Sequence, residues 1–137
     1  FVKAFYGFPY KHANTILDPE FGALNPGYDF VDPIDELGAH VAPTGIAFYD
    51  GDMFPKLRNN LLVTLHGSWN RSAKVGYKVI MITLDQSGSV LKKQDFISGW
   101  LINEEVSGRP SAPFIMSDGS ILISDDHANV IYRVTKS

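Results

Sequence analysis

The chain has 137 residues, of which 45% are apolar and 20% charged, with a formal net charge of −3. This is the make-up of a globular domain with a real core rather than a disordered segment. It lacks the basic footprint of a nucleic-acid binder and any Lys/Arg run suited to an anionic membrane surface. The absence of cysteine excludes disulfides and thiolate metal sites but leaves the compartment open, and no apolar stretch approaches the roughly 20 residues of a membrane helix.

The chain opens on Phe1, and no signal-peptide pattern follows it. Residues 1–10 are aromatic-rich and broken by Gly7 and Pro9. Residues 11–37 carry Pro19, Gly22, Pro26, Gly27 and Pro33 among Asp and Asn. Proline fixes φ and removes a ladder donor, and glycine opens positive φ, so neither a long helix nor a long strand survives there. The expectation is a long irregular segment with one turn of helix near Pro33 to Leu37. Segments of this length inside compact domains are usually functional or pinned to something larger.

Regular patterning begins after Ala39. Gly45 to Tyr49 reads as a short strand closed by the turn dipeptide Asp50-Gly51. Asn60 to His66 is a near-continuous apolar run, as in a strand buried on both faces. Tyr77 to Leu84 is a third strand. Val90 to Trp100 is a fourth, more polar one, as an outer edge should be. The cycle then restarts with Pro113 to Met116, the turn Ser117-Asp118-Gly119, and strands at Ser120 to Ser124 and Val130 to Val134. "GYKVIMITL" and "NVIYRVTKS" are recognisably similar. A short-period β repeat implies a propeller, a sandwich or a solenoid. Two such units leave both flat faces wet, and repeat arrays need roughly three or more neighbours. The chain is therefore expected to be part of something larger, either a portion of a longer polypeptide or a short chain that oligomerises into a ring.

Three polar segments at strand ends are the candidate site, because rigid scaffolds present functional groups on such loops. His66-Gly67-Ser68-Trp69-Asn70-Arg71, continuing to Lys74, suits a flat, anionic, aromatic ligand. Trp69 would stack, and Arg71, Lys74 and Asn70 would hold carboxylates or carbonyls. The plainer reading is a surface loop with Trp69 tucked beneath it. Gly108-Arg109-Pro110 holds an Arg against a fixed backbone, for an anion or simply in a solvated turn. Ser124-Asp125-Asp126-His127 could bind a cation through oxygen ligands, orient an Arg, or cap backbone N–H groups. His40, before Val41, more naturally plays a structural part, and His12 and His127 have no supporting context. No zinc spacing, nucleophile elbow, P-loop or dinucleotide fingerprint occurs.

Taken in order, "HVAPTGIAFYDGDMFP", "LLVTLHGSWNRSAKVGYKV", "SGRPSAP" and "DGSILISDDHANVIYRV" resemble the C-terminal part of the sugar dehydrogenases that use pyrroloquinoline quinone (PQQ), in the glucose/sorbosone dehydrogenase-like branch. "FYGFPY" resembles that group's Gly-Trp-Pro-Tyr segment, with Phe8 in place of Trp. The resemblance implies an all-β fold, with about two blades of a six-bladed β-propeller preceded by a long irregular N-terminal segment. Residues 1–43 would belong to the preceding propeller region, and residues 44–137 would form two four-stranded blades, the last incomplete. It implies a PQQ- and calcium-dependent oxidoreductase acting on a sugar, with cofactor contacts at His40, His66, Trp69, Asn70, Arg71, Arg109, Ser124 and Asp125. The family's general base and most of its calcium ligands come from earlier blades, so no catalytic residue or metal ligand is assigned here. The implied partners are a sugar substrate, an electron acceptor and the remaining blades, with no nucleic acid and no membrane insertion, in the periplasm or outside the cell. A different class remains open: a non-enzymatic sugar-binding propeller module assembled by oligomerisation, with Trp69 and Trp100 as platforms, or a structural fragment.

Overall fold

The computed structural model describes Lys11–His12, Ile16–Leu17 and residues 33–137. The aromatic opening and most of the proline-broken segment fall outside the described residues. Contacts divide the chain into Phe1–Glu36 and Leu37–Ser137. In the first unit, β1 (Lys11–His12) and β2 (Ile16–Leu17) form a two-residue antiparallel ladder within the stretch expected to be irregular. The helical turn expected at Pro33 to Leu37 does not form. Four residues between Pro33 and the left-handed Gly38 (φ 89°) are too few to repay helix nucleation.

The second unit is all-β. Its first sheet is a meander of β3 (Pro43–Phe48), β4 (Leu61–Leu65), β5 (Lys78–Leu84) and β6 (Val90–Ile97), antiparallel and in that spatial order. A small hairpin follows, β7 (Leu101–Ile102) with β8 (Glu105–Val106). The second sheet is β9 (Pro110–Ile115), β10 (Ile121–Asp125) and β11 (Val130–Val134), with β10 in the middle. The two sheets stack as neighbouring blades of a propeller-like fold.

Two boundaries differ from expectation. The outer strand β6 ends at Ile97 rather than running on to Trp100, and a hairpin follows it. Its turn uses Asn103 and Glu104, both left-handed (φ 50° and 64°), as a twist-matched hairpin turn requires, but without the glycine that normally signals one. Strand β9 begins at Pro110, three residues early. Pro110 and Pro113 are tolerated there because β9 is an edge strand whose only ladder partner among the described residues is β10.

Side-chain alternation sorts β4 into two faces. Leu62 points into a core shared with Val79, Met81, Tyr77, Ile121 and Ile123, which binds the two sheets together. Leu61, Val63 and Leu65 point the other way, into a second cluster with Val41, Ile80 and Ile82. All five β4 residues are buried, as their continuous apolar run requires. On β6, Phe96 and Ile97 pack against the first cluster, while Leu91, Lys92 and Lys93 are exposed. Trp100, expected as a sugar platform, is buried in the first cluster, edge-on to Tyr132 with ring centroids 5.5 Å apart.

The inner strands β3 and β9 run close together. A Cβ on Gly45 would stand 2.6 Å from both Ala112 Cα and the Ser111 carbonyl oxygen. Each inner strand carries a bulge at the same level: the register skips Thr44 in β3 and Ser111 in β9. The two bulges are bonded to each other, since Thr44 Oγ1 donates to the Ser111 carbonyl at 2.7 Å. Thr64 Oγ1, buried on β4, donates to the same oxygen at 2.7 Å. At the opposite end of the sheets, Tyr49 Oη donates to the Gly119 carbonyl (2.7 Å) and accepts from Phe54 N–H (2.9 Å).

Large apolar side chains remain exposed on the sheet faces that look away from the shared core: Ile46 and Phe48 on β3, and Phe114 and Ile131 on the second sheet. The exposed positions on β3 and on the second sheet resemble surfaces that expect a cover, whereas the β4 and β5 side chains on the same side of the first sheet as Ile46 and Phe48 are already buried in the second cluster.

Two substitutions in the intact protein test this packing. Ile123→Ala empties a fully buried position in the shared core and should cost about 2–5 kcal/mol. Gly45→Ala should cost about 1–3 kcal/mol by forcing β3 and β9 apart. Both are read as a lowered denaturation midpoint at constant slope.

Candidate functional site

At one end of the stacked sheets the chain leaves β4 through His66. The ladder continues briefly, with His66 N–H donating to the Ala42 carbonyl and Gly67 N–H to that of Val41, both at 2.9 Å. Gly67 has φ 100°, and a Cβ there would lie 2.6 Å from the Tyr77 ring, so only glycine fits. The loop is closed by Ser68 N–H donating to the Val75 carbonyl (2.9 Å) and Val75 N–H donating to Ser68 Oγ (3.1 Å). Beyond that closure Trp69, Asn70 and Arg71 project outward, and Trp69 is 85% exposed. Trp69 is therefore not tucked under the loop. Lys74 is held from the side by the β7–β8 hairpin: its N–H donates to Glu104 Oε2 (2.9 Å) and its Nζ to the Glu104 carbonyl (2.6 Å).

Arg109 enters this loop from the second sheet. Its Nη1 donates to the Gly67 carbonyl, and its Nη2 to the Ser68 carbonyl and to Tyr77 Oη, each at 3.1 Å. The guanidinium carbon lies 4.9 Å from the centroid of the Tyr77 ring. Tyr77 is 1% exposed, sits at φ 55°, and donates its own hydroxyl proton to the Ser68 carbonyl. The Arg109 fork thus faces protein acceptors.

Asp125 closes β10 rather than lying in a loop, and it is 3% exposed. Its Oδ1 accepts from the N–H groups of Arg109 (2.9 Å), His127 (3.1 Å) and Ala128 (2.8 Å), and its Oδ2 from Tyr132 Oη (3.3 Å). A buried carboxylate satisfied by four donors is the capping arrangement. Gly108 makes room for it, because a Cβ there would fall 2.1 Å from Asp125 Oδ2. Ser124, also within β10, spans the Ser111 bulge: its Oγ accepts from Ala112 N–H at 3.1 Å.

Asp126, one residue further, is exposed. Its Oδ1 meets His66 Nε2 at 2.7 Å and accepts from Ser111 Oγ at 2.9 Å. These bonds, that from His66 foremost, hold its carboxyl below the ordinary aspartate value. His40 is exposed and left-handed (φ 65°), two residues before the Ala42 carbonyl that receives His66 N–H.

The structure therefore brings His66, Arg109, Ser124 and Asp125 together at one end of the sheets. Trp69, Asn70 and Arg71 stand on the exposed tip of the loop, and His40 directly precedes Val41 and Ala42, whose carbonyls receive the Gly67 and His66 N–H groups. Sequence reasoning missed Tyr77 and Ser111. The Gly76-Tyr77 pair ahead of an apolar strand was the available signal for the first. The bulge that exposes the second has no composition cue.

A family model described as TrAA12-like matches residues 27–137, and the chain belongs to that family. An uncharacterized protein of Borreliella burgdorferi is 41% identical over 138 residues, covering 96% of this chain and 36% of its own. Among solved structures, the calcium structure of the Trichoderma reesei carbohydrate-active enzyme of family AA12 superposes with TM-score 0.65 at 19% identity, over 90% of this chain and 30% of that one, which bears on the fold. The holo form of the pyranose dehydrogenase PQQ domain from Coprinopsis cinerea matches with TM-score 0.54 at 25% identity, over 71% and 27% of the two chains. The chain thus spans about a third of the length of the relatives it matches.

Two outcomes follow. Asp125→Ala should destabilise the intact protein by about 1–3 kcal/mol, because it strands buried N–H groups of residues 109, 127 and 128. For Asp126 the folded carboxyl is the stronger acid, so its contribution is present above the unfolded value of about 3.9 and is lost as pH falls through the lower folded value. Asp126→Asn should therefore separate from the parent in acid-unfolding curves near neutrality and converge with it at the acid end. Parallel curves across the whole range would refute the pairing.

Proposed function

We propose that this chain is part of a PQQ-dependent sugar oxidoreductase and supplies one wall of its cofactor and substrate pocket. The observation that carries the reading is the loop tip Trp69-Asn70-Arg71. There an exposed indole, an amide and a guanidinium stand on a tied loop at the end of a buried strand. Membership of the TrAA12-like family supports it, as does the relative from C. cinerea, which is the PQQ domain of a pyranose dehydrogenase.

The donor set fits a flat quinone bearing carboxylates. Arg71 offers a planar fork for a carboxylate, Asn70 an amide for a carbonyl oxygen, and Trp69 an apolar face for the ring or for the sugar. His66, Arg109, Ser124 and Asp125 stand behind this tip, and His40 borders it. A bound quinone would supply an acceptor for the hydride equivalent leaving the sugar carbon. The residues of this chain bind and orient, and no proton transfer is assigned to His40 or His66. A calcium site does not fit the described residues. Among them no group of three or more His, Asp or Glu is placed to hold a metal, and Asp125 is already occupied by N–H and O–H donors.

On this reading the exposed faces at Ile46 and Phe48, and at Phe114 and Ile131, are covered by further blades of the same protein or of other subunits. The partners are a sugar and an electron acceptor, and the setting is the periplasm or the cell exterior. Among the described residues no helix is long and apolar enough to cross a membrane.

The test is dye-linked sugar oxidation by the full-length protein supplied with PQQ and calcium, with quinone affinity measured separately. Arg71→Ala should raise the quinone Kd roughly 10- to 100-fold, the worth of a hydrogen-bonded charge pair. Sugar binding with neither quinone binding nor oxidation would instead establish the non-enzymatic sugar-binding module.

A further inference from the structure

Arg109 is where the three strand-end segments meet. Its main chain is held by Asp125, through the 2.9 Å bond from its N–H to Oδ1. Its side chain crosses to the first sheet, where it holds the carbonyls of Gly67 and Ser68, the two residues just before Trp69. A peptide unit is a rigid plane, so the Ser68 carbonyl oxygen, the Trp69 nitrogen and the Trp69 Cα move as one body. Two donors grip that oxygen, Arg109 Nη2 and Tyr77 Oη. The point from which Trp69, Asn70 and Arg71 depart is therefore set by a residue of the neighbouring sheet. The two terminal nitrogens that would form a bidentate fork with an anion are already turned to main-chain oxygens.

We infer that Arg109 is a positioning residue: it acts on the ligand only through the 67–71 loop, by fixing the direction in which Trp69, Asn70 and Arg71 project. Its effect on ligand binding rests on the proposed function, whereas its effect on the loop does not. Asp125 belongs to the same device, since it locates the Arg109 main chain. Lysine cannot replace the function fully, because a single ammonium cannot span two successive carbonyls and a phenol oxygen in a fixed plane.

The experiment compares the full-length protein with Arg109→Ala, Arg109→Lys and Tyr77→Phe. Hydrogen exchange is followed at the bonded amides of Gly67, Ser68 and Val75, and PQQ is titrated in the presence of calcium. The expected result is at least tenfold faster exchange at those amides in Arg109→Ala, with β5 and β10 unchanged, and an intermediate rate in Arg109→Lys. Should Arg109→Ala fail to fold, Tyr77→Phe keeps the ring and the guanidinium–carbonyl bonds, and should show the same pattern at two- to fivefold. For PQQ, Arg109→Ala should raise the Kd in the parent and by a clearly smaller factor in an Arg71→Ala background, since the Arg71 contact that the loop position controls is already gone there. Unaltered loop exchange would overturn the inference, as would Kd effects of Arg71→Ala and Arg109→Ala that multiply independently. If the parent protein binds no PQQ, the functional reading fails, and the exchange data still decide whether Arg109 sets the loop.

Discussion

A guanidinium lodged between two successive main-chain carbonyls and a phenol oxygen organises this end of the molecule. Arginine is suited to that place because its charge is permanent, its donors lie in one plane, and its weakly hydrated face can rest on an aromatic ring. The Tyr77 ring supplies the rest, at 4.9 Å. Everything nearby accommodates the arrangement. Gly67 gives up its side chain so that the ring can sit beneath it, and Gly76 does the same toward Gly67, its Cβ position lying 2.7 Å from Gly67 Cα. Gly108 leaves room for the carboxylate that anchors Arg109. Three glycines, a tyrosine and an aspartate are thus fitted together around this one arginine.

The second tie between the sheets lies just behind the first. The bulges at Thr44 and Ser111 place an extra residue in each inner strand at the same height. A bulge leaves a backbone group without a ladder partner. Here the freed Ser111 carbonyl takes two threonine hydroxyl protons, and the Ser111 hydroxyl goes to Asp126, which also holds His66. The irregularities of the two strands are each other's hydrogen-bond partners, and they lead into the loops that carry the candidate site.

Much of the strand pattern is legible in the residues. The buried run Leu61–Leu65 and the repeat shared by "GYKVIMITL" and "NVIYRVTKS" place β4, β5 and β11, and Asp118-Gly119 marks the β9–β10 hairpin, whereas Asp50-Gly51 opens a longer connection with a 3-10 turn at Pro55–Leu57 rather than a tight turn. The β7–β8 hairpin is hidden because Asn103 and Glu104 adopt left-handed conformations that a sequence signals reliably only through glycine. Pro110 looks like a breaker but opens an edge strand. The loops themselves are visible as polar clusters at strand ends, whereas their wiring is not. The acceptors of Arg109 are main-chain carbonyls, which every residue type possesses, so no composition points to them. Trp100 and Trp69 look alike as candidates, yet the first fills the core and the second stands in solvent. Only the stacking of the second sheet distinguishes them.

The outer strand β6 has one ladder neighbour among the described residues, β5, and among them its other side is an edge of N–H and C=O groups. An unpaired edge recruits any extended segment it meets, and the usual deterrent is charge placed along it. Lys92 and Lys93 stand midway along β6, where a foreign strand would have to dock, and the neighbouring sites on β5 are occupied by Ile82 and Thr83. Charge along this rim makes it a poor template for amyloid-like growth, so that a fold made mostly of strands can hold its site open at one end without its margins inviting aggregation.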